Sequence, residues 1–169
     1  RSIDMINDIE GFRNEDSLRA VSESDCGLCI MHMQGEPQTM QQNPYYVNVI
    51  TEVSTFLAKR VAAAEMAGID RDRICIDLGF GFGKTLQHNL DLLAHSEMIQ
   101  SELRLPLLVG LSRKSMIGQI TGKPVEQRLA GSLAAALVAV KHGARIVRVH
   151  DVAETVDALK VWQAVESIN

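Results

Sequence analysis

Ile74-Cys75-Ile76-Asp77-Leu78-Gly79-Phe80-Gly81-Phe82-Gly83-Lys84-Thr85 joins a strand candidate, Ile74 to Asp77, whose apolar run closes on a carboxylate, to a glycine-rich turn. An apolar run closed by a polar residue and a turn, with a helical stretch beyond, is the first half of a βα unit. Four other segments share the pattern: Ile3 to Asn7, Leu28 to Met33, Leu107 to Gly110 and Ile146 to His150. None alternates with polar residues along its whole length, so all five read as buried strands of a parallel sheet. They recur every about 36 residues, a period common to βα-barrel and doubly wound folds. Eight such repeats need roughly 290 residues. A chain of 169 residues leaves a closed barrel three units short and fits an open five-stranded sheet, and composition alone does not choose.

The intervening stretches carry helix punctuation. Asn43 and Pro44 stand as N-cap and first turn ahead of a helix over Val47 to Ala67, which Gly68 closes. An Ala-rich helix from Val125 to His142 ends before Gly143, and a last one, Val152 to Val165, follows Asp151 as its N-cap. Gln87 to Leu103 and a shorter Asp16 to Ser24 complete the set. With no repeat, low-complexity tract or linker, residues 1–169 are read as one domain.

With 46% apolar residues the chain can build a packed core. Its 17 basic and 21 acidic residues give a charge of −4, so no global positive field draws in nucleic acid or anionic lipid. Any anion site must be local. No apolar run approaches the roughly 20 residues that cross a bilayer, and no secretory signal is seen. Three cysteines cannot all pair, so the expectation is a soluble chain in a reducing cytoplasm. A start at Arg1, beside an apolar segment, reads as a cut chain.

Each strand ends in polar groups on its C-terminal side: Asn7 and Asp8, His32, Asp77, Ser112 to Lys114, and Arg148 with His150 and Asp151. Parallel βα folds place their sites at that edge, and five such ends in a row point to a shared pocket. Alternation puts Ile146, Arg148 and His150 on one face of the last strand. A guanidinium buried there needs an acid, an anionic ligand or a flat ring; a structural ion pair with Asp77 or Asp151 is the plainer alternative.

In the Asp77 to Thr85 loop, three alternate glycines imply unusual backbone or close approach of a ligand. A Walker loop fails because Leu78 stands where glycine is required, and a dinucleotide fingerprint fails because its third glycine falls on Lys84. A merely flexible connection fits the glycines but not Phe80 and Phe82, which are expected to line a flat-ring pocket. Ser112-Arg113-Lys114-Ser115 is read as the start of a helix whose N–H groups favour a carboxylate or phosphate, against a solvated charged turn. Cys26-Gly27-Leu28-Cys29 with His32 lacks a second ligand pair, so the thiols, Cys75 included, are read as buried and without a role. His88, His95 and His142 read as surface or capping residues, and Met33, Met40 and Met98 as filler.

Ile6-Asn7-Asp8, Met31-His32-Met33-Gln34-Gly35 with Pro37 and Thr39-Met40, the Asp77 to Lys84 loop, Ser112-Arg113-Lys114-Ser115 and Arg148-Val149-His150-Asp151-Val152 together closely resemble bacterial dihydropteroate synthases. The likeness runs over essentially the whole chain, and five motifs in order make it specific. It implies a (β/α)8 TIM barrel of the pterin-binding family, of which this chain supplies the five C-terminal βα units. Those enzymes join 6-hydroxymethyl-7,8-dihydropterin pyrophosphate to 4-aminobenzoate in folate synthesis; sulfonamides compete for the aminobenzoate position, and the enzymes are usually homodimers. The resemblance further implies that Asn7, Asp77, Lys114, Arg148 and His150 bind the pterin substrate. Lys114 and Arg148 would serve catalysis, and Phe82 and Ser115 would hold 4-aminobenzoate. The Mg²⁺ ligand would lie in three missing N-terminal units, with no metal ligand in this chain. Leu78 replaces the usual proline after the pterin aspartate; the change frees φ and restores an N–H, and is expected to loosen the loop or shift Asp77 while binding survives. The competing expectations are a pterin-binding methyltransferase of the same superfamily and a non-catalytic fragment with unpaired strand edges.

Overall fold

Five parallel strands pair in chain order: β1 (Met5–Asp8), β2 (Gly27–Met31), β3 (Ile74–Asp77), β4 (Leu107–Val109) and β5 (Ala144–Val147). Between and after them run α1 (Glu15–Ser22), α2 (Val49–Met66), α3 (Leu86–Ala94), α4 (Ser96–Leu103), α5 (Ser115–Thr121), α6 (Leu129–Lys141) and α7 (Val152–Glu166). The structure is a computed structural model that describes residues 3–168.

Strand order resolves what the repeat length left open. A doubly wound sheet reverses its order at a switch point; strands stacked in chain order with helices on one face are a sector of a βα barrel. One face of this sheet, Leu28, Ile30, Ile74, Ile76, Leu107 and Val109, joins the helices in a single core with Val53, Leu57, Leu92, Ile99 and Ala139. The other face carries a separate small cluster of Cys29, Cys75 and Leu108 with Ile146 against it. Helices therefore cover the outer face alone, and the inner face is that of a barrel interior.

Several boundaries differ from the sequence reading. β5 starts at Ala144 and its ladder stops at Val147; Arg148 N–H still donates to Val109 O at 2.9 Å. Beyond it, His150 turns onto Ser112, whose Oγ accepts the His150 N–H at 3.2 Å. The long helix is capped by Asn48, not Asn43: Asn48 Oδ1 accepts from Thr51 N–H at 3.0 Å, and Glu52 reaches back to Asn48 N–H at 2.9 Å. Gln87 to Leu103 is two helices that meet at His95, and Val125 to Gln127 is a separate 3-10 turn ahead of α6. Asp151 stands at the N-cap of α7 but caps nothing with its side chain. Met98 is exposed rather than core filler.

His88 and Thr85 form a reciprocal capping box at α3, and His95 and His142 close α3 and α6, as expected of capping histidines. All three cysteines are free and buried, with Cys29 opposite Cys75 in the β2–β3 register. Among the described residues no helix is long and apolar enough to cross a membrane.

Candidate active site

Asp77 is the last residue of β3, and Met31 and Leu108 are its register partners on either side. Its side chain falls on the inner face, like that of Cys75 two residues earlier. The residue is 6% exposed, and one carboxylate oxygen accepts the Gly79 N–H at 2.7 Å. Burial pushes this carboxyl up, while the Gly79 N–H and the charges of Lys114, Lys84 and Arg148 pull it back. A buried acceptor ringed by three cations is the centre of the site.

The loop after Asp77 folds back over the end of β2. Gly79, Gly81 and Gly83 have φ of 68°, 80° and 63°, a region that glycine enters without a Cβ penalty. A Cβ on Gly79 would overlap the His32 carbonyl oxygen, and one on Gly83 would lie 2.5 Å from Gln34 O. The unusual backbone expected of these glycines is thus present, and at Gly79 and Gly83 it admits the backbone of residues 32–34. Asn89 Oδ1 accepts Gly81 N–H at 2.8 Å, the Tyr46 hydroxyl donates to Gly83 O at 2.9 Å, and Gln41 donates to Gly81 O. The loop is clamped despite Leu78, which is fully buried in the core. Phe80 is also fully buried, in the hydrophobic core rather than lining a flat-ring pocket, a correction to the sequence reading. Phe82 remains half-buried, with Lys114 Nζ 4.8 Å from its ring centroid.

Lys114 stands at the head of α5 and donates to Phe80 O; burial lowers its ammonium against the pull of Asp77. The turn that presents it is held from two sides. Arg113, at φ 56°, donates its N–H to Ser132 Oγ at 2.9 Å, and Arg128 donates to Arg113 O at 2.9 Å. The Arg113 guanidinium engages both oxygens of Asp151, Nε to Oδ2 at 3.0 Å. That pairing holds the Asp151 carboxyl below its usual range and explains why it leaves its helix cap.

Arg148 is exposed, not buried, and forms no ion pair among the described residues. The pairs considered from sequence, with Asp77 or Asp151, are therefore not made. It nonetheless acts electrostatically on both Asp77 and Lys114, which places it over the same mouth. His150 is exposed, and its Nδ1 lies 2.9 Å from Ser112 Oγ. Asn7 is exposed at the end of β1, two strands from Asp77 on the same edge. Ser115 is exposed at the start of α5 and lines a pocket of about 270 Å³ with Gln41, Lys84 and Gln119. Asp77, Lys114, Phe82 and Arg148 thus come together, His150 and Ser115 flank them, and Asn7 stands apart.

His32, read as one of the strand-tip polar groups, and Lys84, to which the sequence reading gave no role, are both buried beside Asp77. Lys84 is the single charged residue between Asp77 and Asp91; that isolation among glycines and apolar residues was the available signal. Among the described residues no three His, Cys, Asp or Glu side chains gather to hold a metal.

Comparison with known proteins shows the family. The pterin binding enzyme family matches residues 2–150. The dihydropteroate synthase of Haemophilus influenzae is 52% identical over 163 residues, which are 96% of this chain and 58% of that protein. The crystal structure of dihydropteroate synthase from Stenotrophomonas maltophilia, with imidazole bound in its active site, superposes with a TM-score of 0.94 at 55% identity, over 98% of this chain and 62% of that one. The Xanthomonas albilineans enzyme in complex with 7,8-dihydropteroate gives 0.90 at 49% identity, over 98% and 60%. The chain spans about three fifths of the length of these relatives.

Proposed function

Because this chain belongs to the pterin binding enzyme family, we propose that it is the C-terminal part of a dihydropteroate synthase. Three further βα units, N-terminal to Arg1, would close its barrel. The enzyme condenses 6-hydroxymethyl-7,8-dihydropterin pyrophosphate with 4-aminobenzoate, giving 7,8-dihydropteroate and pyrophosphate. The observation that carries the reading is the buried Asp77 carboxylate under Lys114, Phe82 and Arg148 at one mouth.

A pterin edge presents adjacent N–H donors, which a carboxylate accepts as a pair; Asp77 takes that role, and the Asn7 amide complements it. Lys114 meets the pterin carbonyl and ring nitrogen. Arg148, which forms no ion pair among the described residues, lays its flat guanidinium on the ring and, with His150, faces the phosphates. Its exposure at the rim suits a group that must receive a charged tail.

The bond between the pterin methylene and the pyrophosphate oxygen breaks first, and its electron pair leaves with pyrophosphate. The pterin-stabilised cation is then captured by the amine nitrogen of 4-aminobenzoate, which sheds a proton to solvent as the C–N bond forms. Phe82 walls the aminobenzoate ring and Ser115 meets its carboxylate. No protein nucleophile is required; these residues position two rings and stabilise the departing charge. The Mg²⁺ implied by the resemblance would take its protein ligand from the three N-terminal units, and every step here runs through this chain's own side chains.

The reading carries with it a homodimer in the cytoplasm and competition by sulfonamides at the 4-aminobenzoate position. Full-length enzyme supplied with both substrates is expected to form 7,8-dihydropteroate, with a sulfonamide raising the KM for 4-aminobenzoate alone. No product, or inhibition indifferent to 4-aminobenzoate, contradicts it.

A further inference from the structure

Lys84 is 3% exposed, an ammonium inside the protein. Its Nζ lies 2.9 Å from Gly79 O, 3.0 Å from Phe82 O and 2.9 Å from His32 Nδ1. Burial pulls this group down to about 7 against the attraction of Asp77; in its charged form it has three N–H donors and no acceptor, and these three acceptors saturate it. The His32 nitrogen must then offer a lone pair, which leaves that ring neutral with its proton on Nε2. Burial and the neighbouring Lys84 charge push His32 down to about 3, in keeping with that form.

Each of these bonds leads to a group that the substrates touch. Gly79 accepts from Lys84 through its carbonyl and donates its N–H to the Asp77 carboxylate. His32 accepts at its ring, and its backbone N–H donates to Asp77 O at 3.0 Å. Phe82 accepts at its carbonyl while its ring lies beneath Lys114. The absence of a Cβ at Gly79 and Gly83 lets the loop come close enough to the residue 32–34 backbone for one side chain to hold both. Lys84 itself is too deep to be the first group a substrate meets.

We propose that Lys84 is a positioning residue for the synthase reaction: its buried ammonium, shared by two loop carbonyls and His32, fixes Asp77 and Phe82 where the two rings bind. This rests on the function proposed above.

The test compares the full-length enzyme with its Lys84→Met variant, which keeps an unbranched side chain one heavy atom shorter and removes its donors. Amide exchange at Gly79, Gly81 and Phe82 is expected to quicken at least tenfold, while that of Ile76, bonded to Pro106 O, stays as it was. KM for the pterin pyrophosphate is expected to rise at least tenfold, with a smaller fall in kcat. Should Lys84→Met not fold, His32→Phe removes one of the three acceptors and is expected to move exchange and KM in the same direction. Unchanged loop exchange overturns the proposal, whether KM stays the same or rises, because a rise alone makes Lys84 a direct substrate contact. A wild-type enzyme that makes no dihydropteroate sinks the synthase reading instead, and the exchange comparison still judges the hold of Lys84 on the loop.

Discussion

Asp77 is held between opposed influences: burial favours its neutral form, and the Gly79 N–H with three nearby cations favours the charged one. A ligand that offers two N–H groups adds to the second side, so affinity and ionisation rise together. Asp77→Asn replaces one of two acceptors by a donor and is expected to weaken pterin pyrophosphate at least about 100-fold; isothermal calorimetry reads this, and unchanged affinity removes Asp77 from the site. Arg148 poses the complementary case. It is exposed, so Arg148→Lys should leave stability within about 0.5 kcal/mol while losing the flat face that stacks. KM for the pterin substrate should rise about tenfold; a fall in thermal stability without a change in KM would make Arg148 structural.

His32 links residue chemistry to pH. Its folded-state value of about 3 lies below the ordinary 6.5, so between those pH values the unfolded chain binds the extra proton. Stability from this group is therefore present above about pH 6.5 and is lost as acid carries the solution down toward its folded value. Denaturant titrations of wild type and His32→Phe should show their stability difference shifting against wild type as pH falls through that window. A constant difference would mean that His32 is not held neutral.

At the scale of elements, the β3 loop is fixed by backbone contacts that only glycine permits. Gly79→Ala must move the His32 carbonyl or abandon φ 68°, and is expected to destabilise the fold by at least about 2 kcal/mol; chemical denaturation measures it, and a neutral effect would mean that the loop is not docked on β2. Here the sequence was partly legible. β3 was read with its bounds intact because a carboxylate and a glycine follow an unbroken apolar run. β5 was read too late, because the Ile146, Arg148, His150 alternation outlasts the ladder, whose neighbour β4 ends at Val109. Phe80 was assigned to the pocket and lies in the core, since nothing in an alternating Gly-Phe pattern tells which ring turns inward. Asp77, Lys114 and Arg148 could be read as strand-tip charges. The Lys84–His32 contact could not, because it joins residues 52 apart in the chain.

Across the whole molecule, five strands in chain order leave β1 and β5 as edges of the sheet, and a βα barrel gathers its site from loops around the full ring. Residues 1–169 supplied alone with both substrates are therefore expected to form no dihydropteroate in a product assay; turnover at the rate of the full-length enzyme would show that these five units suffice. The convergence of Asp77, Phe82, Lys114 and Arg148 on one mouth is nevertheless a property of this part of the ring. A crystal structure of the full-length enzyme with bound dihydropterin tests that convergence most directly. It should show the pterin amino edge about 3 Å from both Asp77 oxygens, with Lys114 at the carbonyl side and the Arg148 guanidinium flat against the ring. A pterin seated elsewhere, or one that leaves Asp77 bonded only to Gly79, would contradict it.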